Sequence, residues 1–310
     1  MIENKSVQQV LFFVLAGFCL TPVVDAPIAL VLGIILAIFI GNPFVQQSGK
    51  IAKKLLKISI VGLGFGMNFY SAIHAGKDGF IFTVFTIILV LVLGWLLGKW
   101  LKIDNKTSYL VSSGTAICGG SAIAAVGPTI DADEKQMSVA LGTVFILNSV
   151  ALLIFPAIGH QLHMTQHQFG IWCAIAIHDT SSVVGAAQKY GDEALKLATT
   201  IKLGRALWII PLTLLTALFQ KGGKKKISIP YFIGFFILAM LISTFTPQFN
   251  SIYAVIAFWA KKLLVLTLFL IGAGLSMKVV KSVGLKTFVQ GIILWITISV
   301  VVLTVVISIE

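Results

Sequence analysis

The chain has 310 residues, of which 58% are hydrophobic and 11% are charged. A typical soluble domain has about 25% charged residues, and a water-soluble protein of this composition would expose large apolar patches. The composition therefore excludes a cytosolic enzyme, a secreted disulfide scaffold and a nucleic-acid-binding domain. It indicates an all-α polytopic membrane protein, a single integral membrane domain over 1–310 with no soluble domain.

Hydropathy, with glycine, proline and charge as interruptions, predicts about 11 transmembrane helices, since each span needs about 20 apolar residues. The predicted spans are 8–24, 27–41, 57–75, 79–98, 107–128, 137–157, 168–188, 194–219, 228–246, 262–277 and 287–309. Short amphipathic stretches at 44–56 and 249–261 precede the third and tenth spans, and KGGKKK at 221–226 is a predicted flexible linker. The first span lacks a small-residue cleavage site, so we expect it to be retained and not removed as a signal peptide.

The lysines in alternate loops predict the orientation of the chain. Fifteen lie on the side of the N-terminus and six on the opposite side. Because basic residues collect in cytoplasmic loops, we expect a cytoplasmic N-terminus and a C-terminus outside. The net charge of +12 is explained by these loops and does not indicate nucleic-acid binding.

An internal repeat relates residues 53–80 to residues 261–288 at a constant offset of 208. A lysine pair and several spaced glycines recur in both copies. The two copies are seven predicted crossings apart, and an odd separation makes them face opposite ways. Such inverted-topology repeats are typical of secondary transporters.

A second, shorter sequence similarity relates AICGGS at 116–121 to AIHDTS at 176–181. Both motifs interrupt apolar segments with small and polar residues, which predicts broken helices near 107–128 and 168–188. Two crossings separate the motifs, so simple parity makes them parallel unless one of the segments is re-entrant. Both arrangements remain open at this point.

The first motif suggests a ligand site. Gly119 and Gly120 allow the helix to unwind, and unwound backbone at membrane depth is tolerated only where it is buried or lines a cavity. Where the helix resumes at Ser121, free N–H groups and the positive end of the helix dipole would attract an anion. The alternative is a pair of glycines at a tight helix crossing.

The second motif carries hydroxyls and a titratable pair. Thr180, Ser181 and Ser182 could cap a half-helix or bind a ligand. His178 and Asp179 could carry a coupling proton, because histidine titrates near neutral pH. Together with the transporter-like repeat, the two broken segments favour a ligand cavity.

Lys202 and Arg205 lie inside the eighth predicted span, where an ionisable residue costs a few kcal/mol. At positions i and i+3 they share one helix face. They could supply positive charge to an anionic substrate; alternatively, Asp179 neutralises Arg205, and Lys202 reaches an interface by extending its side chain. Asn148, in the sixth span, is either a further ligand or a helix–helix hydrogen bond.

The remaining motifs give no enzyme signature. His160, His163 and His167 lie in a loop without an HExxH motif or accompanying carboxylates, and the pattern favours a solvated loop over a metal site. There is also no nucleotide-binding GxxxxGK[ST] loop. We therefore expect no enzymatic activity, no cofactor and no bound metal.

The longest distinctive run, SYLVSSGTAICGGSAIAAVGPTIDADEKQMSVAL at 108–141, resembles the sulfate exporter family of bacterial inner-membrane proteins. AIHDTSSVVGAA at 176–187 and ATTIKLGRALWIIPL at 198–212 extend the resemblance, which covers essentially the whole chain. It implies a multi-pass transporter in the bacterial cell (inner) membrane. More distantly, CGGSAIAA is similar to the broken helix of bile-acid/sodium symporters, whose crossed architecture sodium/proton antiporters share. The chain lacks the Asp-Asp pair of those antiporters, so the resemblance leaves open whether H⁺ or Na⁺ is the coupling ion.

These observations predict a secondary active transporter of a small anion, exporting sulfate or an organosulfonate by alternating access. The alternative is an uncoupled anion channel or a membrane-embedded sensor that uses the same pocket. The expected partners are the anion, the coupling ion, the lipid bilayer and a second copy in a homodimer, but no nucleic acid. The residues assigned to substrate binding are Gly119, Gly120, Ser121, Thr180, Ser181, Ser182, Lys202 and Arg205, and those assigned to ion coupling are His178 and Asp179.

Overall fold

A computed structural model describes residues 5–219, 231–274 and 284–309, which form helices and turns without a strand. The predicted linker at 221–226 and part of the second repeat copy lie outside these residues. The helices are α1 (Lys5–Phe18), α2 (Ala26–Ile35), α3 (Val45–Gly64), α4 (Phe69–Trp100), α5 (Asn105–Ala116), α6 (Gly120–Val126), α7 (Glu134–Gln161), α8 (Gln166–Ala176), α9 (Thr180–Tyr190), α10 (Asp192–Ala206), α11 (Ile209–Phe219), α12 (Tyr231–Phe245), α13 (Asn250–Gly274) and α14 (Leu285–Ile309). A π-helical segment (Leu36–Ile40) follows α2, and 3-10 segments (Gly127–Ile130 and Pro247–Phe249) follow α6 and α12.

The helices have the composition of membrane-spanning segments. Five stretches of the described chain are long and apolar enough to cross a membrane: Phe82–Trp100, Lys135–Gln161, Asp192–Leu218, Pro247–Gly274 and Leu285–Ser308. Shorter apolar helices accompany them at Lys5–Phe18, Ala26–Ile40, Gly120–Ile130 and Tyr231–Phe245. The fold is thus that of an all-helical, polytopic membrane protein, as the composition predicts. The number of 11 spans and the inverted relation of the repeats stay predictions.

The third predicted span, 57–75, is wrong in its boundaries. A single helix, α3, runs through the predicted amphipathic stretch 44–56 and ends at Gly64, and a turn over 65–68 separates it from α4. The helix is continuous because its lysines, spaced three and four residues apart, occupy one exposed face and do not interrupt the backbone hydrogen bonds. These exposed lysines are Lys50, Lys53, Lys54 and Lys57.

Two further boundaries differ from the prediction. The amphipathic stretch 249–261 is not separate, because α13 continues through it without a break. The predicted span 194–219 is interrupted at 207–208, where α10 ends and α11 begins. The same order of elements nevertheless leads into both repeat copies: a short apolar helix, a segment containing Pro43 or Pro247, and a longer helix.

The described residues form two compact units, one built from 5–73 and 231–274 and the other from 74–219 and 284–309. In the first unit α13 packs along α2 and α3, and α12 packs on α3. The side chains of Phe12, Val265 and Phe269 lie in its apolar core. The Phe12 ring contacts the rings of Phe44 and Phe269 at centroid distances of 5.2 and 5.6 Å.

The helices α2 and α13 approach each other closely at Gly33 and Gly272. A Cβ atom on Gly33 would lie 2.7 Å from the Ala273 nitrogen and would overlap the Phe269 carbonyl oxygen. We expect Gly33→Ala to lower the free energy of unfolding by about 1–3 kcal/mol, because overpacking displaces the backbone. The matched control is Gly17→Ala in α1, where a Cβ atom meets nothing within 4 Å. This substitution should stabilise the helix slightly, because alanine has the higher helix propensity. Thermal unfolding in detergent measures both, and equal midpoints would contradict the tight approach.

The second unit contains most of α4 together with α5–α11 and α14. Within it α10 packs against both α8 and α9, α7 packs against α5 and α9, and α14 packs on α8. A buried amide holds α14 to its neighbours, since Gln290 Nε2 donates to the Gly94 carbonyl at 2.9 Å and to Ser108 Oγ at 2.7 Å. This unit holds every residue that the sequence assigns to the site.

Candidate functional site

The first helix break lies at 117–119, between α5 and α6. Gly119 has φ +62° and ψ −125°, a conformation that side chains rarely adopt, and glycine adopts it at little cost. A Cβ atom there would lie 3.2 Å from Val144 Cγ1 and 3.4 Å from Asp179 Cβ. Because Asp179 belongs to the second motif, the two broken segments cross in contact at Gly119.

The second helix break lies at 177–179, between α8 and α9. Ile177 is extended, which frees the N–H groups that follow it from the helical pattern. Asn148 Oδ1, from α7, accepts the N–H groups of His178 at 3.0 Å and of Asp179 at 3.3 Å. Of the two interpretations of Asn148, the structure therefore supports the helix–helix hydrogen bond.

The N-terminus of α9 is capped from within the chain. The Asp179 carboxylate accepts the N–H groups of Ser181 at 3.1 Å and of Ser182 at 3.3 Å, and the Ser181 hydroxyl also donates to it. Aspartate is a preferred residue at this position because its carboxylate satisfies N–H groups that have no helical acceptor. The expectation that hydroxyls cap this half-helix is corrected accordingly: the cap is the Asp179 carboxylate, which accepts two of the N–H groups.

Both buried cations of α10 bind the carbonyl ends of the broken helices. Lys202 Nζ donates to the carbonyl of Ile177, at the end of α8, at 2.7 Å. Arg205 donates through Nε at 2.9 Å, and also through Nη2, to the carbonyl of Ala116, the last residue of α5. Its Nη1 donates to Thr86 Oγ1 in α4 at 2.9 Å. Each cation thus lies at the negative end of a half-helix dipole, where positive charge is stabilising.

These contacts decide between the interpretations of Lys202 and Arg205. The Lys202 side chain is 0% exposed, so it does not extend to an interface. The hydrogen bonds of Arg205 to described residues go to a carbonyl and a hydroxyl, and Asp179 uses its carboxylate to cap α9. Neutralisation of Arg205 by Asp179 is therefore not what the structure shows.

Several buried polar atoms at the breaks have no hydrogen-bond partner among the described residues. His178 is completely buried, and both of its ring nitrogens are unpartnered. Two further buried atoms have no hydrogen-bond partner in the described part of the chain. They are Nδ2 of Asn148 in α7 and Oγ1 of Thr115 in the last turn of α5. Buried polar groups in proteins are nearly always paired, so such atoms mark a place where a ligand or water can bind.

The proposed site residues differ in accessibility. Ser121 is exposed, and Gly120 and Asp179 are half-buried. A ligand can therefore reach the side of the crossing on which these three residues lie. Thr180, together with the two serines that follow it, is buried. The reachable polar groups of the crossing are therefore the Ser121 hydroxyl and the Asp179 carboxylate.

Sequence reasoning missed Thr86, Thr115 and the carbonyl of Ala116. Thr115 directly precedes the AICGGS motif, which was a usable signal for it. Thr86 has no such signal, because it comes from a different helix in an apolar stretch. The prediction of a histidine loop is wrong for two of its residues, because His160 lies in the last turn of α7 and His167 in the first turn of α8. The His160 ring stacks on Tyr190 at a centroid distance of 4.3 Å.

Asn148 offers a test of how the second break is held. We expect Asn148→Leu to lower the free energy of unfolding by about 2 kcal/mol or more, because two buried N–H groups lose their acceptor. Asn148→Gln keeps an amide acceptor without adding charge and should retain more of the stability than the leucine variant. Hydrogen exchange over 177–180, with thermal unfolding, measures the effect. Unchanged exchange in the leucine variant would contradict the role of Asn148.

The all-helical fold and the two crossing breaks define a polytopic membrane protein with discontinuous helices. Residues 9–291 match the family described as Conserved hypothetical protein 698, and the chain belongs to this family. No solved structure matches the chain.

Similar proteins are named UPF0324 membrane proteins, a name that states no substrate. That of Photobacterium profundum is 55% identical over 290 residues, which cover 94% of this chain and 89% of the relative. That of Bacteroides thetaiotaomicron is 57% identical over 281 residues, 89% and 84% of the two chains. That of Shewanella oneidensis is 51% identical over 298 residues, 96% and 94% of the two chains.

Proposed function

We propose that the protein is a secondary active transporter of a small anion, which binds where the two broken segments cross. The observation that carries this proposal is the placement of Lys202 and Arg205, two buried cations from one helix, at the ends of both half-helices. Discontinuous helices that meet in the membrane are the usual place for substrate in secondary transporters.

The charges at the crossing favour an anionic substrate. Two buried cations stand against one half-buried carboxylate, Asp179, which already accepts three hydrogen bonds from α9. Buried charge is costly unless it is paired, so an entering anion would be stabilised and an entering cation would be repelled. The resemblance to the sulfate exporter family suggests export of sulfate or an organosulfonate.

The coupling group in this proposal is His178 or Asp179. Asp179 is half-buried, so a coupling ion can reach its carboxylate. An ion bound there would compete with the cap on α9, which links ion binding to the position of that half-helix. His178 is enclosed, and its unpartnered ring nitrogens face a protein interior that holds both cations.

Transport in liposomes tests the proposal. Purified protein is first screened by thermal unfolding against sulfate, thiosulfate, taurine, cysteate and carboxylates at two pH values. We expect at least one anion to stabilise the protein and to show saturable counterflow of its labelled form. Arg205→Lys should weaken the response, because lysine lacks the planar guanidinium that holds the positive charge in place between the end of α5 and Thr86. Lys196→Gln, exposed on the same helix, should leave the response unchanged.

The outcomes separate the transporter from its alternatives. Flux that follows voltage and does not saturate would make the protein an anion channel. Anion-dependent stabilisation without any flux would make it a membrane-embedded sensor. If no anion stabilises the protein at either pH, the proposed site is wrong.

We further propose that the protein lies in the bacterial inner membrane with its N-terminus in the cytoplasm. Lys224→Cys should react with a membrane-impermeant thiol reagent from the cytoplasmic side alone, since the lysine distribution places that loop inside. The natural cysteines, Cys19, Cys118 and Cys173, are buried, which keeps background labelling low. Labelling of intact cells at this position would overturn the orientation and the inverted repeat with it.

A further inference from the structure

A cavity of about 510 Å³ lies in the second unit, away from the helix breaks. It is lined by α4, α5, α11 and the 3-10 segment Gly127–Ile130, and its size is that of a ligand pocket. Leu91, Ile130 and Leu215 contribute apolar walls. None of its lining residues has a role in the proposed transport site.

The lining also carries polar groups. The Tyr109 hydroxyl donates to Thr216 Oγ1 at 2.6 Å, since the Thr216 hydroxyl itself donates to the Leu212 carbonyl at 2.7 Å. Two lysines, Lys99 and Lys106, are the cationic groups of the lining. An occupant with apolar and anionic parts would match this combination.

Both lysines keep donors available for an anion. The Lys99 ammonium lies 3.8 Å from the centroid of the Trp95 ring, and this cation–π contact requires no hydrogen-bond acceptor. Lys106 Nζ donates to the Asp131 carbonyl at 2.7 Å, which uses one of its three N–H groups. Asp104, two residues before Lys106, accepts hydrogen bonds from Thr107 and Gln136.

The cavity lies at a membrane–water boundary. The apolar stretch Phe82–Trp100 ends beside it, and Trp95 and Trp100 are 57% and 72% exposed. Exposed tryptophans with lysines at the end of a span mark the level of the lipid headgroups. The lysine distribution predicts that this end faces the cytoplasm.

We propose that this cavity binds an anionic phospholipid, with the phosphate between Lys99 and Lys106 and an acyl chain along Leu91 and Leu215. The phosphate supplies acceptors for the Lys99 ammonium and for the remaining N–H groups of Lys106, and the hydrocarbon covers the apolar walls. The site is independent of the proposed transport activity and would persist if that proposal failed.

Tryptophan quenching by brominated lipids in mixed micelles tests the site. We expect brominated phosphatidylglycerol to quench Trp95 at a lower mole fraction than brominated phosphatidylcholine, and Trp95→Phe to remove that component. Lys99→Gln should reduce the preference for the anionic lipid about fivefold, the effect of one lysine near a headgroup. Leu91→Phe fills the cavity without changing its charge, so it should also weaken the quenching of Trp95 by the brominated anionic lipid.

The matched control is Lys102→Gln, since Lys102 is an exposed lysine of the same turn that does not line the cavity. The Lys102→Gln variant should prefer phosphatidylglycerol over phosphatidylcholine as strongly as the natural protein does. Equal quenching by the two lipids, or an equal loss in the Lys99 and Lys102 variants, would overturn the proposal. Full protection of Trp95 by inorganic phosphate alone would likewise overturn it, because the site would then bind a soluble anion.

Discussion

Replacement of Arg205 by glutamine is expected to lower the free energy of unfolding by about 3 kcal/mol, one of the largest effects of any single substitution in the chain. The variant loses charge-assisted hydrogen bonds to the Ala116 carbonyl and to Thr86, and each such bond contributes about 1.5–3 kcal/mol. Arg205→Lys keeps the charge but not the planar fork, so its loss should be intermediate. Thermal unfolding of the purified variants measures the order, and Lys196→Gln on the exposed face of α10 is the control.

A double substitution shows whether Arg205 acts through its contact with the Ala116 carbonyl or through an ion pair with Asp179. If Arg205 served to neutralise Asp179, Asp179→Asn would restore the stability that Arg205→Gln loses. The structure leads us to expect no rescue, because Asp179 caps α9 and Arg205 holds α5. If the proposed anion site is right, Arg205→Gln also weakens anion binding at least tenfold, or about 1.4 kcal/mol. Recovery of stability in the double variant would refute the assignment of Arg205 to the half-helix.

Gly119→Ala is expected to abolish transport and to lower the free energy of unfolding by about 1–3 kcal/mol, the usual range for a side chain forced into this backbone conformation. Its Cβ atom would also lie too close to Val144, beside the point where Asp179 of the second break touches the first. The control is Gly204→Ala in α10, where a Cβ atom meets nothing within 4 Å. Transport and thermal unfolding are compared for both variants, and a fully active Gly119→Ala protein would remove the crossing from the mechanism.

Much of the architecture follows from the sequence, because apolar composition and interrupted apolar segments are visible in it. The AICGGS and AIHDTS motifs mark the positions at which the described helices break, since glycine and hydroxyl residues weaken a helix locally. The boundaries of α3 were not predictable from hydropathy, because exposed lysines lower the hydropathy of a helix without ending it.

The partners of the charged residues could not be predicted. Arg205 and Lys202 bind backbone carbonyls, and every residue carries a carbonyl, so the sequence holds no signal for which one is used. The acceptor becomes available only because α5 and α8 end inside the protein, and the identity of the nearest cation depends on how α10 packs. A search for a carboxylate partner, the natural expectation from sequence, therefore points to Asp179 and misses the contact that is made.

The placement of both cations on α10 has a mechanical consequence. Lys202 and Arg205 are three residues apart, which corresponds to about 4.5 Å along the helix axis. A slide of α10 by one helical turn, about 5.4 Å, would exceed the reach of both hydrogen bonds at once. Such a slide would therefore remove the cations from the ends of α5 and α8 in one movement.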